Sequence, residues 1–223
     1  NGNSATISNM SINRTDINDV GLFGRTEWAA ITNLNLNDCA ITGGIFFVGA
    51  LVGRAHSSTT ISTCTLSGIT VNGGSNVGGI TGESDSSTIF ASTFEGTVTA
   101  SFSSAGGIAG KIDYSTIELS SSGGFVEGKY HVGGLIGYAN HNNTIASTIA
   151  KCYSTAEASG SAVSVGGFIG SIGNVGDVTV TNCYATGDVT AGTEWSDAVE
   201  FGFVSSSIDL RISNADIEVA FAD

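Results

Sequence analysis

The sequence predicts an all-β fold, namely a β-solenoid (parallel β-helix) of about seven coils with roughly 28 residues in each coil. Two observations carry this prediction. A glycine-centred phrase, Val-Gly-Gly-apolar-x-Gly, returns at nearly constant intervals along the chain. The segments between its copies are short, alternate in polarity and are rich in Ile, Val, Thr and Phe, which is typical of strands. No window has the sustained apolar stripe of a helix.

The phrase has complete copies at residues 77–82, 132–137 and 165–170, and looser copies elsewhere. Its closing positions are 24, 53, 82, 110, 137, 170 and 205, which gives steps of 29, 29, 28, 27, 33 and 35 residues. Because no Pro-rich or charged linker interrupts the repeats, we expect a single domain over residues 1–223. Recognisable repeats cover residues 20–205, and residues 1–19 and 206–223 are expected to be terminal coils or caps.

Stacked coils place equivalent residues above one another, so columns are readable directly. The position two residues before the closing one is always large and apolar, which predicts an interior column: Leu22, Leu51, Ile80, Ile108, Leu135, Phe168 and Phe203. The next column tolerates Thr81 and Ala109, and we expect it to be less buried. The Val of the phrase lies three residues before the large apolar residue, so strict alternation would place them on opposite faces.

If both residues are inside, the chain must bend at the glycine pair, and we predict a corner there. The glycines given this structural role are Gly78, Gly79, Gly82, Gly106, Gly107, Gly110, Gly133, Gly134, Gly137, Gly166, Gly167 and Gly170.

The charge and the apolar content of the chain exclude some classes of function. The chain has 20 acidic and 7 basic residues and a net charge of −13, so binding to nucleic acid or to an anionic membrane surface is not expected. No apolar run approaches the roughly 18 residues of a membrane span. The chain does not begin with Met and has no signal-peptide pattern. We therefore expect a segment of a larger protein.

The repeat resembles the GLUG repeat, whose pattern is roughly G-G-L-V-G, a polar gap, I-x-N-C/S-Y-A-T-G and x-V. Residues 166–170 followed by 180–189 match it almost throughout, and residues 133–137 followed by 149–156 are nearly as good. The resemblance implies a secreted or surface-anchored microbial protein of the adhesin type, a group that includes non-catalytic parts of some immunoglobulin-A proteases. The motif carries no catalytic residues.

Four cysteines, Cys39, Cys64, Cys152 and Cys183, are interpreted as one column. The first interpretation is a column of small buried side chains. The alternative is two disulfides between stacked coils, Cys39–Cys64 and Cys152–Cys183, because strands about 4.8 Å apart lie within disulfide range. A zinc site is not expected, since no Cys-x-x-Cys or His cluster is present.

Two tryptophans in a shared phrase, Trp28 and Trp195, are the candidate binding residues. They are interpreted either as caps over the open ends of the solenoid or as aromatic platforms for a sugar. Acidic loops at residues 16–19, 37–38, 83–85 and 174–177 leave calcium open, although ordinary turn chemistry accounts for them. No cofactor is predicted.

Catalytic candidates are few. His56, His131 and His141 fall at different places in their coils. Asp113 with Glu95 or Glu118 is the candidate carboxylate pair, and nothing in the sequence favours it. We do not predict an enzyme or a metal site. Thr-x-Thr triplets at 63–65, 97–99 and 179–181 do not share a column, so no regular threonine ladder of an ice-binding solenoid is expected.

The predicted function is therefore a non-enzymatic extracellular module: a stalk, a surface filament subunit or an adhesin repeat region. The expected partners are neighbouring subunits, glycans or proteins of a host or cell surface, with homopolymerisation through the end coils left open. Loops at 139–148 and 191–199 are the expected contact loops. An ice-binding solenoid and a polysaccharide-degrading β-helix enzyme are the alternatives.

Overall fold

A computed structural model has the predicted all-β solenoid architecture. The chain winds through about six turns of about 29 residues each, and its strands pair in parallel. The structure describes residues 1–140, 146–173 and 178–192, and the backbone of Glu200–Phe201 and Leu210–Ile212. The last phrase of the expected seventh coil, which ends at Ser205, lies mostly outside the described residues.

The described residues form twenty-seven strands. In chain order they are β1 (Ala5–Ser8), β2 (Ser11–Arg14), β3 (Phe23–Glu27), β4 (Ala30–Thr32), β5 (Leu34–Asn37), β6 (Ala40–Gly43), β7 (Phe46–Gly49), β8 (Val52–His56), β9 (Thr60–Ser62), β10 (Thr65–Gly78), β11 (Thr81–Asp85), β12 (Thr88–Phe90), β13 (Thr93–Gly106), β14 (Ala109–Asp113), β15 (Thr116–Glu118), β16 (Ser121–Gly133), β17 (Ile136–Asn140), β18 (Ser147–Ala150), β19 (Tyr153–Ser154), β20 (Glu157–Gly160), β21 (Val165–Gly166), β22 (Ile169–Ile172), β23 (Val178–Thr181), β24 (Tyr184–Ala185), β25 (Val189–Ala191), β26 (Glu200–Phe201) and β27 (Leu210–Ile212).

Three parallel sheets run along the solenoid. Sheet A has 14 strands, and its main path is β1-β5-β10-β13-β16-β19-β24. Sheet B has the order β3-β8-β11-β14-β17-β22, and sheet C has the order β4-β9-β12-β15-β18-β23-β27. In one turn the chain passes through sheets A, B and C and then enters sheet A of the next turn. Each residue therefore lies above its equivalent in the preceding turn.

The glycine phrase forms the predicted corner between sheets A and B. Strand β10 ends at Gly78 and β11 begins at Thr81, so the chain turns across the two residues between them. Val77 and Ile80 are both fully buried, which strict alternation would not allow. The large apolar column is interior in turns two to six, from Leu51 to Phe168.

The expectation that the next column is less buried is wrong. Phe23 in the first turn is 40% exposed, but Val52, Thr81, Ala109, Ile136 and Ile169 are fully buried. The reason is that the turn brings the start of each sheet B strand against the end of a sheet A strand. A Cβ on Gly82 would lie 2.6 Å from the carbonyl oxygen of Gly53 and from the carbonyl carbon of Phe47. Backbone therefore packs on backbone at the closing glycine.

A ladder of small polar side chains lies at the corner between sheets C and A. The backbone N–H of Cys64 donates to Ser92 Oγ at 3.2 Å, and the N–H of Ser92 donates to Ser120 Oγ at 3.2 Å. Further along the solenoid, the N–H of Cys152 donates to Cys183 Sγ at 3.4 Å. Hydroxyl and thiol are interchangeable in this ladder because either one satisfies a buried N–H.

The structure corrects the assignment of the four cysteines to one column. Leu66 pairs with Leu36, which places Cys64 beside Leu34, whereas Cys39 belongs with Ile69 because Thr70 pairs with Ala40. The predicted Cys39–Cys64 disulfide is therefore wrong, because Cys64 lies at the corner between sheets C and A whereas Cys39 lies within sheet A, between β5 and β6. Cys152 and Cys183 are neighbours, but all four cysteines are free and buried.

Candidate functional site

The outer face of sheet B has the densest set of charges in the described part of the chain. Because the closing glycine and the second residue after it point inward, the first and third residues after it point outward. A bend row, whose residues have φ between 52° and 67°, precedes each phrase and flanks this face: Asp19, Phe47, Asn76, Ser104, His131 and Ser164. We call the whole set the charged band: the bend row with Arg25, Glu27, Arg54, His56, Glu83, Asp85, Lys111, Asp113, Tyr138 and Asn140.

Ion pairs connect the charged band from turn to turn. Arg54 Nε lies 3.4 Å from Asp19 Oδ1 and 3.2 Å from Glu83 Oε2. Lys111 Nζ lies 3.0 Å from Glu83 Oε1 and 2.6 Å from Asp113 Oδ2. Asn140 Nδ2 then donates to Asp113 Oδ1 at 2.7 Å. The contacts thus run without interruption from the loop before β3 to β17.

The centre of the charged band is largely shielded from solvent. The side chains of Glu83 and Asp113 are 10% and 11% exposed, and those of Arg54 and Lys111 are 22% and 23% exposed. Burial alone lowers the pKa of Lys111, but its contacts with Asp113 and Glu83 outweigh this effect and raise the pKa above its ordinary value. The charges therefore neutralise one another, and this arrangement suits bracing of the turns.

The charged band also contains aromatic rings. The guanidinium carbon of Arg54 lies 3.7 Å from the ring centroid of Phe47, a cation–π contact. The rings of His131 and Tyr138 lie 5.1 Å apart, and burial lowers the pKa of His131. His56 Nε2 lies 3.3 Å from Asp85 Oδ2. Two of the predicted histidines thus meet the same face, and His141 lies outside the described residues.

The three carboxylates considered for catalysis lie on different sheets. Asp113 is in β14 of sheet B, Glu95 is in β13 of sheet A and Glu118 is in β15 of sheet C. Asp113 pairs with Lys111 and Glu118 pairs with Lys151 at 3.0 Å. The suggested pairing of Asp113 with either glutamate therefore does not occur.

The other predicted site residues have separate positions. Trp28 is 76% exposed, so its side chain does not cover the core of the end turn as a cap would. Trp195 lies outside the described residues, as do the loop at 174–177 and most of the contact loops. The described residues contain no group of three or more His, Cys, Asp or Glu side chains placed to bind a metal ion. They also contain no helix long and apolar enough to cross a membrane.

A threonine ladder that was not expected from the sequence lies on sheet C. Five successive strands each contribute one Thr, and these residues pair directly: Thr60, Thr88, Thr116, Thr148 and Thr179. All five are half-buried. The neighbouring outward column is irregular, with Phe90 and Glu118 among its members. The Thr-x-Thr triplets missed this ladder because it uses a single Thr from each turn.

Comparison with known proteins adds two likenesses. No family model matches the chain. Halomucin of Haloquadratum walsbyi is 44% identical over 84 residues, which are 37% of this chain and 1% of halomucin. The crystal structure of a "putative immunoglobulin A1 protease" from Bacteroides ovatus superposes with a TM-score of 0.69 at 21% identity, over 97% of this chain and 66% of that one. The chain thus has the fold of that protein and matches a small part of halomucin in sequence.

Proposed function

We propose that the chain is a non-enzymatic extracellular module, either structural or adhesive, of a larger secreted or cell-surface protein. The observation that carries this proposal is the continuous stacking of the turns. In each of the three sheets, the strands of successive turns are hydrogen-bonded to one another in an unbroken series. Such a rod holds its faces at a fixed distance from its ends and presents rows of side chains along them. The match to part of halomucin supports a location outside the cell.

The arrangement of charge supports a structural role for sheet B. Buried ion pairs in the charged band involve both carboxylates and both cations at its centre. A carboxylate that serves as a general acid or base has to reach a substrate proton, whereas Glu83 and Asp113 are held by Arg54 and Lys111. The separation of Asp113, Glu95 and Glu118 on three sheets supports the same conclusion.

Removal of the chain from its parent protein tests this role. An in-frame deletion of residues 1–223 in the source organism is expected to reduce attachment of the cells to surfaces or to one another under flow. Restoring the wild-type segment should restore attachment, and a Gly128→Ala segment serves as a folded control. Unchanged attachment and an unchanged surface layer in the deletion strain would contradict the proposal.

The threonine ladder favours a second candidate function, ice binding. Five in-register threonines on one sheet present hydroxyls at the strand spacing of about 4.8 Å. Thermal hysteresis of the purified chain tests this candidate. Activity that is lost in Thr116→Tyr and kept in Thr99→Tyr on sheet A would support ice binding, and a wild-type chain without hysteresis would exclude it.

A further inference from the structure

A groove on the outer face of sheet A marks a change in side-chain size along the solenoid. In one column of this sheet, Thr65, Thr93 and Ser121 are followed by Tyr153 and Tyr184. A groove of about 260 Å³ lies at this step. We call it the Tyr153 groove; its main lining residues are Thr93, Glu95, Ser121, Gly123, Tyr153 and Thr155.

The floor of the Tyr153 groove is one turn of small residues. Ser121 is 7% exposed and Gly123 is buried, whereas their neighbours in the turns on both sides are exposed. Thr93 and Glu95 stand on one side of this turn, and Tyr153 and Thr155 stand on the other side. The groove therefore crosses the strands as a slot about one turn wide.

One wall of the groove is an open aromatic face. The rings of Tyr153 and Tyr184 are stacked, with centroids 5.1 Å apart and planes 5° from parallel. Tyr184 thus covers one face of the Tyr153 ring. Tyr153 lines the groove and Tyr184 does not, so the other face of Tyr153 is turned to the slot above Ser121. The stack fixes the orientation of this ring, and both tyrosines remain about 40% exposed.

A carboxylate without a partner lies at the groove. A Cβ on Gly123 would collide with Glu95 Oε2 and would lie 3.0 Å from Thr155 Oγ1, so both polar groups reach over the glycine. No hydrogen bond or ion pair engages the Glu95 carboxylate within the described part of the chain. Glu83 and Asp113 in the charged band, by contrast, are both paired. Glu95 is therefore a free acceptor beside a flat apolar wall.

We propose that the Tyr153 groove binds one ring of a neutral saccharide. A pyranose ring has an apolar C–H face that packs on an aromatic ring, and hydroxyls at its edge that donate to a carboxylate. The hydroxyls of Thr93, Ser121 and Thr155 supply further polar contacts. The net charge of −13 and Glu95 itself disfavour an anionic sugar. The volume lies just below the range of about 300–1,000 Å³ that holds drug-sized ligands, which suits one ring with the rest of the glycan outside.

Strand addition by a peptide fits the groove less well. The strands under the groove, β10, β13 and β16, are paired on both sides within sheet A, so no free edge is offered. Hydroxyl groups and the Glu95 carboxylate also lie around the open ring face of Tyr153. The saccharide proposal names a ligand for the proposed adhesive role. It rests on that role only in placing the groove outside the cell, where glycans of other surfaces are present.

Titration of the purified chain with neutral tetrasaccharides of glucose and of mannose tests the proposal. Isothermal titration calorimetry and saturation-transfer NMR are the readouts. We expect millimolar or tighter binding of at least one of them, at least tenfold weaker binding in Tyr153→Ala and binding within about threefold of wild type in Tyr153→Phe. Ser121→Tyr adds a ring that covers the open face of Tyr153 and should also abolish binding. Phe102→Ala, an exposed aromatic on the same sheet and outside the groove, is the matched control.

The outcomes separate this proposal from the function of the whole chain. If neither probe binds to a folded wild-type chain, or if Tyr153→Ala and Ser121→Tyr bind as the wild type does, the groove is not a saccharide site. Preference for an acidic probe such as a uronic acid oligosaccharide also overturns the assignment. Attachment of cells in the deletion experiment is independent of these results. Circular dichroism of each variant shows that the fold is kept.

Discussion

The substitution Gly110→Ala tests the reason for the closing glycine of the phrase. An added Cβ would collide with the carbonyl carbon of Asn76 and the nitrogen of Val77, and would lie 2.8 Å from the Cα of Asn76. All three are backbone atoms of a paired strand, so no side-chain rotation relieves the collision. Overpacking of a core costs typically 1–3 kcal/mol, and we expect a loss of at least about 3 kcal/mol in the free energy of unfolding.

The control is Gly128→Ala, in β16 of sheet A. Its Cβ would meet Val132 Cγ2 at 2.9 Å and Ala100 O at 3.4 Å, so its one short contact is with a side-chain methyl group and not with backbone. Replacement of Gly by Ala in a compatible conformation stabilises by about 0.4–1 kcal/mol through the unfolded state, so the net change should lie within about 1 kcal/mol of zero. Urea unfolding followed by circular dichroism measures both variants. Equal stability of the two would refute the backbone-contact explanation.

Three further predictions follow from the charged band and the ladder. Lys111→Met should lower the free energy of unfolding by about 1–3 kcal/mol, because it leaves two shielded carboxylates with one fewer partner each. Lys111→Arg keeps the positive charge and should lower this free energy less. Equal losses of stability for the two variants in urea titrations would contradict the ion pairing. Burial lowers the pKa of His131, so the unfolded state binds a proton more readily than the folded state does. The free energy of unfolding should therefore fall as the pH drops below about 6.5. His131→Phe should make this pH dependence shallower, and an unchanged pH dependence would exclude His131 as its source. All four thiols should resist a thiol reagent in the native chain and react with it in urea, and rapid labelling of the native chain would contradict their burial. Cys152→Ser should lower the free energy of unfolding by less than about 1 kcal/mol, because Ser120 has the same role in the ladder.

The corner and the interior column could be predicted because the phrase repeats with nearly constant spacing. Val77 and Ile80 are three residues apart, and this odd spacing places them on opposite faces of a continuous strand. Both are buried because the chain turns between them, as predicted. The burial of Thr81 could not be predicted in the same way. It depends on the backbone approach between Gly82 and the preceding turn, which residue type alone does not reveal.

The other predictions were limited because the pairing register between successive turns is not constant along each turn. The similar local sequence around Cys39 and Cys64 predicts one shared column, yet the strand pairings place Cys39 beside Ile69. The charged band joins sheet B residues to a bend row that comes from a different part of the turn. The Tyr153 groove depends on the small size of Ser121 relative to Tyr153 in the next turn, and this relation is visible only once the two residues are aligned. Trp28 is the more conspicuous aromatic in the sequence, but it does not line the Tyr153 groove.

Localisation of the native protein tests the central proposal, which is that this solenoid works outside the cell. An antibody raised against the purified chain is applied to intact and to sectioned cells of the source organism, with the deletion strain as the control for specificity. The account predicts immunogold label along the outer surface of intact cells and in the surrounding matrix. Label confined to the cytoplasm of sectioned cells, with none on intact ones, would contradict it.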